Sequence, residues 1–482
     1  MGGPPAGVPA ESSTAWKTLA LTSLAVLATF LDTTILFVAF ADIGASFPDI
    51  GAAQLSWVLN AYTITFAALL VPVGKLADRV GHKRAFLVGS ALFTVASMAC
   101  GLAPSAWALV AFRIVQAVGA ATLLPSSLAL VLRAFPRERL PMAVAIWGAA
   151  GALAGAIGPS LGAAVVELGG WRWVFFLNLP VGMVTVLAGI RILSESREPT
   201  ARVPAPLGVV LVASAAALVS LGVVQSDIWG WADGRTIGAI GAGVVVLGLF
   251  VAHQRTTPAP ALDLELFSIR NFRWATAATM AFGTAFTAMF FGSFLFLTQV
   301  WGWSTLRGGL GVSPGPLLVG VLAPQMGRLA SRIGQRPMII AGGFAYAVGG
   351  VLRLVMLDAQ PDYVADYLPS LLFTGLGVAL CLPQLASTTA QAIPATRLGV
   401  GSGVNQAVRQ FGGTLGVALT IALLSSAASP ELALAAFDRV WWLIVAGGLL
   451  TSLLAVPLRT AVAGVVPPPV VAPGGPVVAP VE

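Results

Sequence analysis

Gly74-Lys75-Leu76-Ala77-Asp78-Arg79-Val80-Gly81-His82-Lys83-Arg84 joins two long apolar runs in this 482-residue chain. The segment packs four bases and one carboxylate into a glycine-bounded turn. A loop this short between two runs of membrane length reverses the chain at a bilayer surface. Similar runs flank it in both directions. About 30 Å of hydrocarbon asks for about 20 apolar residues of helix, and fourteen such spans fit between residues 17 and 457. Only 9% of the residues are charged, 57% are hydrophobic, and the mean hydropathy is +0.90. A soluble domain covers itself with roughly a quarter charged residues, so the outer surface of this chain faces lipid. A transmembrane barrel would show weakly alternating segments of about 10 residues instead. The expected fold class is all-α and polytopic.

Charge placement tests the count. With the N-terminus inside, nineteen of the 26 basic residues fall in cytoplasmic segments and four (Arg172, Arg235, Arg307 and Arg439) on the opposite side, leaving Arg113, Arg353 and Arg409 within spans. Excess Lys and Arg in cytoplasmic loops orients membrane helices, and one miscounted span would invert every later loop. The net charge of +7 therefore serves orientation; its bases are scattered singly, which argues against a nucleic-acid face. Cys100 and Cys381 lie in separate spans, and His82 and His253 lie in loops, so neither a disulfide framework nor a metal site is expected. The chain has no Gly-x-x-x-x-Gly-Lys-Ser/Thr loop, which excludes ATP hydrolysis by motif. Residues 1–15 carry no base, so no cleavable signal is expected and the first span is retained.

Gly327-Arg328-Leu329-Ala330-Ser331-Arg332-Ile333-Gly334-Gln335-Arg336 repeats the opening segment, with Ser331 in place of Asp78. Each copy follows the second span of a six-span group. That predicts two bundles related by an axis along the membrane normal, with a substrate path between them. The expected order is a disordered tail (1–15), a six-helix bundle (16–193), a linker helix pair (206–253), a second six-helix bundle (273–457) and a disordered tail (458–482). The opening segment resembles the loop between helices 2 and 3 of the major facilitator superfamily, and the extra pair of spans is characteristic of its fourteen-helix members. This resemblance implies a transporter rather than an enzyme. It gives Gly74, Asp78, Arg79, Gly81 and Arg84 the role of a latch that holds the inner side closed. Orientation by charge explains the bases equally well, but not Asp78.

Asp32 is the single acidic residue placed deep within a span. A carboxylate at the bilayer centre costs on the order of 3 kcal/mol, so it faces the protein interior or a wet cavity. Either it carries a coupling proton, in competition with a cationic substrate, or it is a structural acid bonded to neighbouring helices. Leu31-Asp32-Thr33-Thr34-Ile35 resembles the first-helix motif of drug:proton antiporters, with Phe37 where asparagine is usual and Ala41 where proline is usual. Arg113-Ile114-Val115-Gln116-Ala117-Val118-Gly119 resembles the fourth-helix motif, whose arginine is associated with proton transfer; Ala117 replaces a glycine. Whether Arg113 meets Asp32 or satisfies backbone carbonyls stays open at this level.

Gly155, Gly158, Pro159 and Gly162 set small residues near the helical period and a bend into the fifth span. They resemble the antiporter motif of exporters, with Ala163 in place of a second glycine. Trp171-Arg172-Trp173-Val174-Phe175-Phe176-Leu177-Asn178-Leu179-Pro180-Val181-Gly182 reads as an interfacial anchor and resembles the fourteen-helix drug:proton antiporter group. Gly401-Ser402-Gly403-Val404-Asn405-Gln406-Ala407-Val408-Arg409-Gln410-Phe411-Gly412-Gly413 resembles helix 13 of the same group. In it Asn405 and Arg409 share a face and either line the cavity or brace the second bundle. Asn60, Tyr62, Gln116, Gln299 and Gln384 are further polar candidates for an otherwise apolar cavity.

Residues and resemblance together predict a proton-coupled exporter of amphipathic drug-like compounds, cationic or neutral, working by alternating access. The expected setting is a bacterial inner membrane, with both termini cytoplasmic and the monomer functional. Its partners are the substrate, protons and the bilayer, and it needs no cofactor beyond the proton gradient. A dedicated exporter of one metabolite or antibiotic is the nearest alternative; 23 arginines among 26 bases fit the GC-rich genomes of antibiotic producers. A transporter-like sensor or scaffold without turnover is the alternative from another class.

Overall fold

The computed structural model describes residues 13–136, 139–196, 205–258, 260, 262–393, 398–424 and 430–459. Fourteen helices among them are long and apolar enough to cross a membrane. The first six are α1 (Ser13–Ser46), α2 (Ala52–Val80), α3 (His82–Gly101), α4 (Ala106–Ala134), α5 (Met142–Gly169) and α6 (Arg172–Ile192). A pair follows, α7 (Pro206–Ser226) and α8 (Gly234–Thr256). The last six are α9 (Arg270–Gln299), α10 (Thr305–Ile333), α11 (Gln335–Met356), α12 (Tyr363–Gln391), α13 (Gly403–Leu424) and α14 (Ala433–Ala455).

Local chemistry explains where the apolar runs start and turn. Ser105, Asp233, Ser304 and Asp362 stand at the starts of α4, α8, α10 and α12, each accepting a hydrogen bond from a first-turn backbone N–H. Such caps satisfy donors that the helix itself leaves unpaired. Gly81 and Gly334, the matching glycines of the two loop copies, turn α2 into α3 and α10 into α11 at φ of +116° and +89°. That backbone region admits glycine far more readily than any residue with a Cβ.

The packing repeats with the sequence. In the first six helices α1 packs on α4, α5 and α6, α2 on α4, and α3 on α4 and α6; the last six repeat each pairing with eight added to the helix number. The bundles meet along two equivalent seams, α2 with α13 and α5 with α10, and α7 covers the first of them. The α7–α8 hairpin is thus an insertion between two six-helix bundles. α9 is among the most enclosed helices, with 72% of its apolar window buried, whereas α8 buries 17% and turns apolar residues such as Val244 and Val245 outward. Outward apolar surface of this extent calls for a lipid solvent.

Several local expectations change. Ser13, Thr14 and Ala15 form the first turn of α1 rather than a tail, and at the other end Leu458 is buried while the Arg459 backbone N–H and carbonyl both bond the Asn271 side chain; residues 1–12 and 460–482, with Arg137, Arg197, Arg202 and Arg397, lie outside the described residues. His82 opens α3 and His253 sits in the last turn of α8, so neither is a loop residue. Asp438 and Arg439 fall inside α14, exposed near its start. Trp171 is not a headgroup anchor: it is 3% exposed and its indole N–H donates to Ser46 Oγ at 2.8 Å, while Trp173 takes the exposed position.

Candidate functional site

α1 has two working faces. Val26, Phe30, Thr34 and Phe37 form a stripe that lines a central cavity. At about 100° per residue, Asp32 lies roughly 200° around the helix from Phe30 and Thr34, and so points into the first bundle. There it is enclosed, and among the described residues it is the only fully buried carboxylate. Its Oδ2 receives Arg113 Nη1 at 2.5 Å; its Oδ1 receives Gln116 Nε2 at 2.8 Å and Asn178 Nδ2 at 2.9 Å. The Arg113 and Asp32 side chains are 1% and 0% exposed. Arg113 also donates to Gln116 Oε1 at 2.7 Å and to the Val58 carbonyl at 3.2 Å, with its guanidinium 3.9 Å from the Tyr62 ring centre. Asn178 reaches on to Ser97 Oγ at 3.0 Å, and Ser97 donates to the Phe175 carbonyl. A buried charge persists only when it is paired and its remaining hydrogen-bonding capacity is met, and this cluster from α1, α3, α4 and α6 does both. A cationic substrate has no access to Asp32 here, because Arg113 occupies that place.

The cavity between the bundles has a volume of about 1020 Å³, at the upper end of the range for small-molecule sites. Phe30, Phe37, Trp147, Phe286, Met289 and Phe290 make its walls largely apolar, and Asn405, Gln406 and Arg409 supply polar groups from α13. Its lining extends to Lys75, Asp78, His82 and Leu132 at the end that carries the basic loops, so it opens to that face. Towards the other end Phe37 packs on Phe290 and Phe291, with ring centres 5.9 and 5.5 Å apart, and Phe40 packs on Phe291 at 5.2 Å. These aromatic contacts from α1 and α9 close the cavity across the bundle interface.

The glycines of α5 explain the rest of that closure. A Cβ on Gly158 would overlap Thr34 Oγ1, and one on Gly162 would lie 2.7 Å from Ile35 Cγ2, so α1 and α5 approach through missing side chains. Gly155 faces open space and lines the cavity. On the other side of α5, a Cβ on Gly309 of α10 would lie 2.6 Å from the Pro159 carbonyl oxygen and 2.6 Å from Ala163 Cβ. Glu167 Oε2 accepts the Leu306 backbone N–H at 3.0 Å, tying the end of α5 to the first turn of α10.

At the open end, Asp78 lies 3.3 Å from His82 Nε2. Lys75 Nζ donates to the Pro260 carbonyl at 2.9 Å. Gly74 packs close to Pro125 of α4; at Gly81 a Cβ would collide with the Glu195 carboxylate, which accepts the Lys83 and Arg84 backbone N–H groups. Arg84 adds a longer, exposed approach to Glu195 at 3.7 Å, and Arg79 is exposed.

Of the seven polar residues expected at the cavity, Asn405 and Arg409 line it. Asn405 also braces the second bundle, donating to Thr279 Oγ1 and Thr389 Oγ1. Tyr62 and Gln116 belong to the Asp32 cluster, Asn60 is buried beside Ser56, Gln384 is buried in α12 away from the cavity, and Gln299 is exposed at the end of α9. Asn178 was not among the expected site residues. The signal was present: an asparagine amid the apolar stretch Val174–Val181 needs a buried polar partner.

The family model described as Major Facilitator Superfamily matches residues 22–417. The chain belongs to this superfamily. It is 34% identical over 455 residues to multidrug resistance protein Stp of Mycobacterium tuberculosis, covering 93% of this chain and 83% of that protein. It is similar to the tetracenomycin C resistance and export protein of Streptomyces glaucescens (33% identity; 85% and 76% covered). It is similar also to the cephamycin export protein CmcT of Amycolatopsis lactamdurans (32%; 88% and 88%). Among solved structures, a peptide transporter POT in complex with sulfate superposes with a TM-score of 0.64 at 16% identity, covering 93% of this chain and 95% of that one. That likeness bears on the fold, and it agrees with a facilitator built from two six-helix bundles around a central cavity.

Proposed function

We propose that this facilitator exports amphipathic small molecules from the cytoplasm in exchange for protons. The observation that carries the reading is a closed Asp32–Arg113 pair set directly behind the wall of a cavity open at one end. The basic face is cytoplasmic in this scheme, with both termini on that side of a bacterial inner membrane, and a monomer suffices. A proton arriving at Asp32 from outside removes the charge that holds Arg113 Nη1. Arg113 then relies on Gln116 Oε1, the Val58 carbonyl and the Tyr62 face, which it already contacts. α1 carries Asp32 on one face and the cavity stripe on the other, and it packs through Thr34 and Ile35 on Gly158 and Gly162. A small rotation or tilt of α1 therefore moves the cavity wall and the closed seam together. The bundles rock, substrate leaves outward, and the proton is released inside as the pair re-forms. In the inward-closed state Asp78 would latch the first bundle to the second. Each elementary charge crossing 100 mV contributes about 2.3 kcal/mol.

A dedicated exporter of one antibiotic is the second reading, favoured by relatives named for the export of tetracenomycin C and cephamycin; a resistance profile over a chemically diverse panel separates the two. The coupling is tested in inverted membrane vesicles under an imposed pH gradient. Wild type accumulates a substrate found in that panel, whereas Asp32→Asn at equal abundance loses gradient-driven accumulation. Gradient-driven uptake by Asp32→Asn at the wild-type rate across a range of pH would refute the coupling role.

A further inference from the structure

Arg113, Arg353 and Arg409 each lie within a span, and they are treated differently. Arg113 is paired with Asp32, and Arg353 is 0% exposed behind Ser293, stacked 4.8 Å from the Trp441 ring centre. Arg409 alone of the three lines the cavity. On α13 it lies between Gly403, which packs against Val71 of α2, and Thr414, whose hydroxyl meets that of Thr63 of α2 at 2.7 Å. It is therefore well inside the mouth formed by Lys75, Asp78 and His82. Its Nε and Nη2 both donate to one atom, Gln406 Oε1, at 3.1 and 2.9 Å, and its guanidinium lies 5.8 Å from the Phe30 ring centre. No carboxylate lies within ion-pair distance of it among the described residues. The Gln406 amide orientation is dictated, because the reverse flip would set N–H against N–H. Its Nε2 is consequently left buried without an acceptor, beside the guanidinium and on the same cavity wall. Arg409 thus offers donors and a positive charge to an apolar chamber in which no carboxylate among the described residues pairs with it, and beside it stands a buried donor, Gln406 Nε2, whose hydrogen-bonding capacity is unmet.

We propose that the transported class consists of amphipathic organic anions, carboxylates on an aromatic or aliphatic body, anchored by Arg409 and Gln406 Nε2. A planar guanidinium takes a carboxylate through two parallel hydrogen bonds, and Phe30, Phe286 and Phe290 accommodate the apolar body. This charge preference is opposite to the cationic one that an acid in α1 suggests, because Asp32 is sealed and neutralised while Arg409 faces the ligand space. The proposal rests on the export reading for its direction. It also makes transport electrogenic: an anion leaving against an entering proton moves two charges inward, whereas a monovalent cation exchanged for a proton moves none.

The test measures equilibrium binding to the full-length protein in nanodiscs, without any gradient, so that it stands apart from export and coupling. The probes are pyrene-1-butyrate, pyrene-1-butanol and pyrene-1-butylammonium, which share one ring system and differ in charge. Wild type is expected to bind the carboxylate at least about tenfold more tightly than the ammonium, since a charge-assisted hydrogen bond is lost when the charge is inverted. Gln406→Glu is nearly isosteric and supplies the absent counter-ion; it should abolish the preference for the carboxylate over both the alcohol and the ammonium. Arg409→Gln should do the same, and Arg409→Lys should retain part of it. A wild type that fails to bind the carboxylate, or a preference that survives Gln406→Glu, overturns the proposal. If the preference holds but vesicles show no gradient-driven transport, the export reading fails and the anion site stands.

Discussion

Separating Asp32 from Arg113 should cost much more one side at a time than together. At 2.5 Å and an effective dielectric constant of about 20, the gross attraction is on the order of 6–7 kcal/mol. Desolvation of two fully enclosed charges opposes most of it, so the pair as a whole contributes little net stability. Removing one partner is different. Arg113→Met leaves the carboxylate to Gln116 and Asn178, and Asp32→Asn leaves the guanidinium over Tyr62, with Gln116 Oε1 and the Val58 carbonyl as its remaining acceptors. Each single change should cost about 3–5 kcal/mol, because an uncompensated charge stays buried. The double variant should cost less than either, giving a coupling energy of about 3 kcal/mol or more. Reversible unfolding in mixed micelles of increasing SDS content, followed by tryptophan fluorescence, measures all four proteins on one scale. Single-variant costs that simply add, within about 0.5 kcal/mol, would refute the reasoning, since they would mean that water or another group already compensates each charge.

Two further outcomes follow from the bundle interface. Gly309→Val places branched carbon against the Pro159 carbonyl and Ala163 Cβ, so it should open the α5–α10 seam. In a background lacking Cys100 and Cys381, it should raise maleimide labelling, from the Trp171 side of the membrane, of a cysteine placed at position 37; unchanged labelling would show that this seam is not the barrier. Asp78→Asn should slow transport while leaving membrane insertion and abundance intact, because orientation depends on the bases and not on this acid. Wild-type efflux at wild-type abundance would remove Asp78 from the latch.

The chain's local pattern was enough for the spans, their order and the repeat. Apolar run length answers to bilayer thickness, and loop charge answers to membrane orientation, and both are read residue by residue. The repeated glycine-bounded loops pointed to two related bundles, and Gly81 and Gly334 take the same left-handed turn for the same local reason. Packing decided what the polar residues do. Asp32 and Arg113 are 81 positions apart, and their meeting depends on the rotation of α1 and α4 about their own axes. Asn178 joins them only because α6 comes to lie against α1. Trp171 looked like an interfacial residue until the chain around it placed Ser46 within reach of its indole. Whether a carboxylate or a guanidinium borders the cavity is likewise a property of neighbours: α4 and α6 supply the partners that enclose Asp32, whereas Arg409 lines the cavity and pairs with no carboxylate among the described residues. Composition counts charges, but only the fold determines which of them are neutralised.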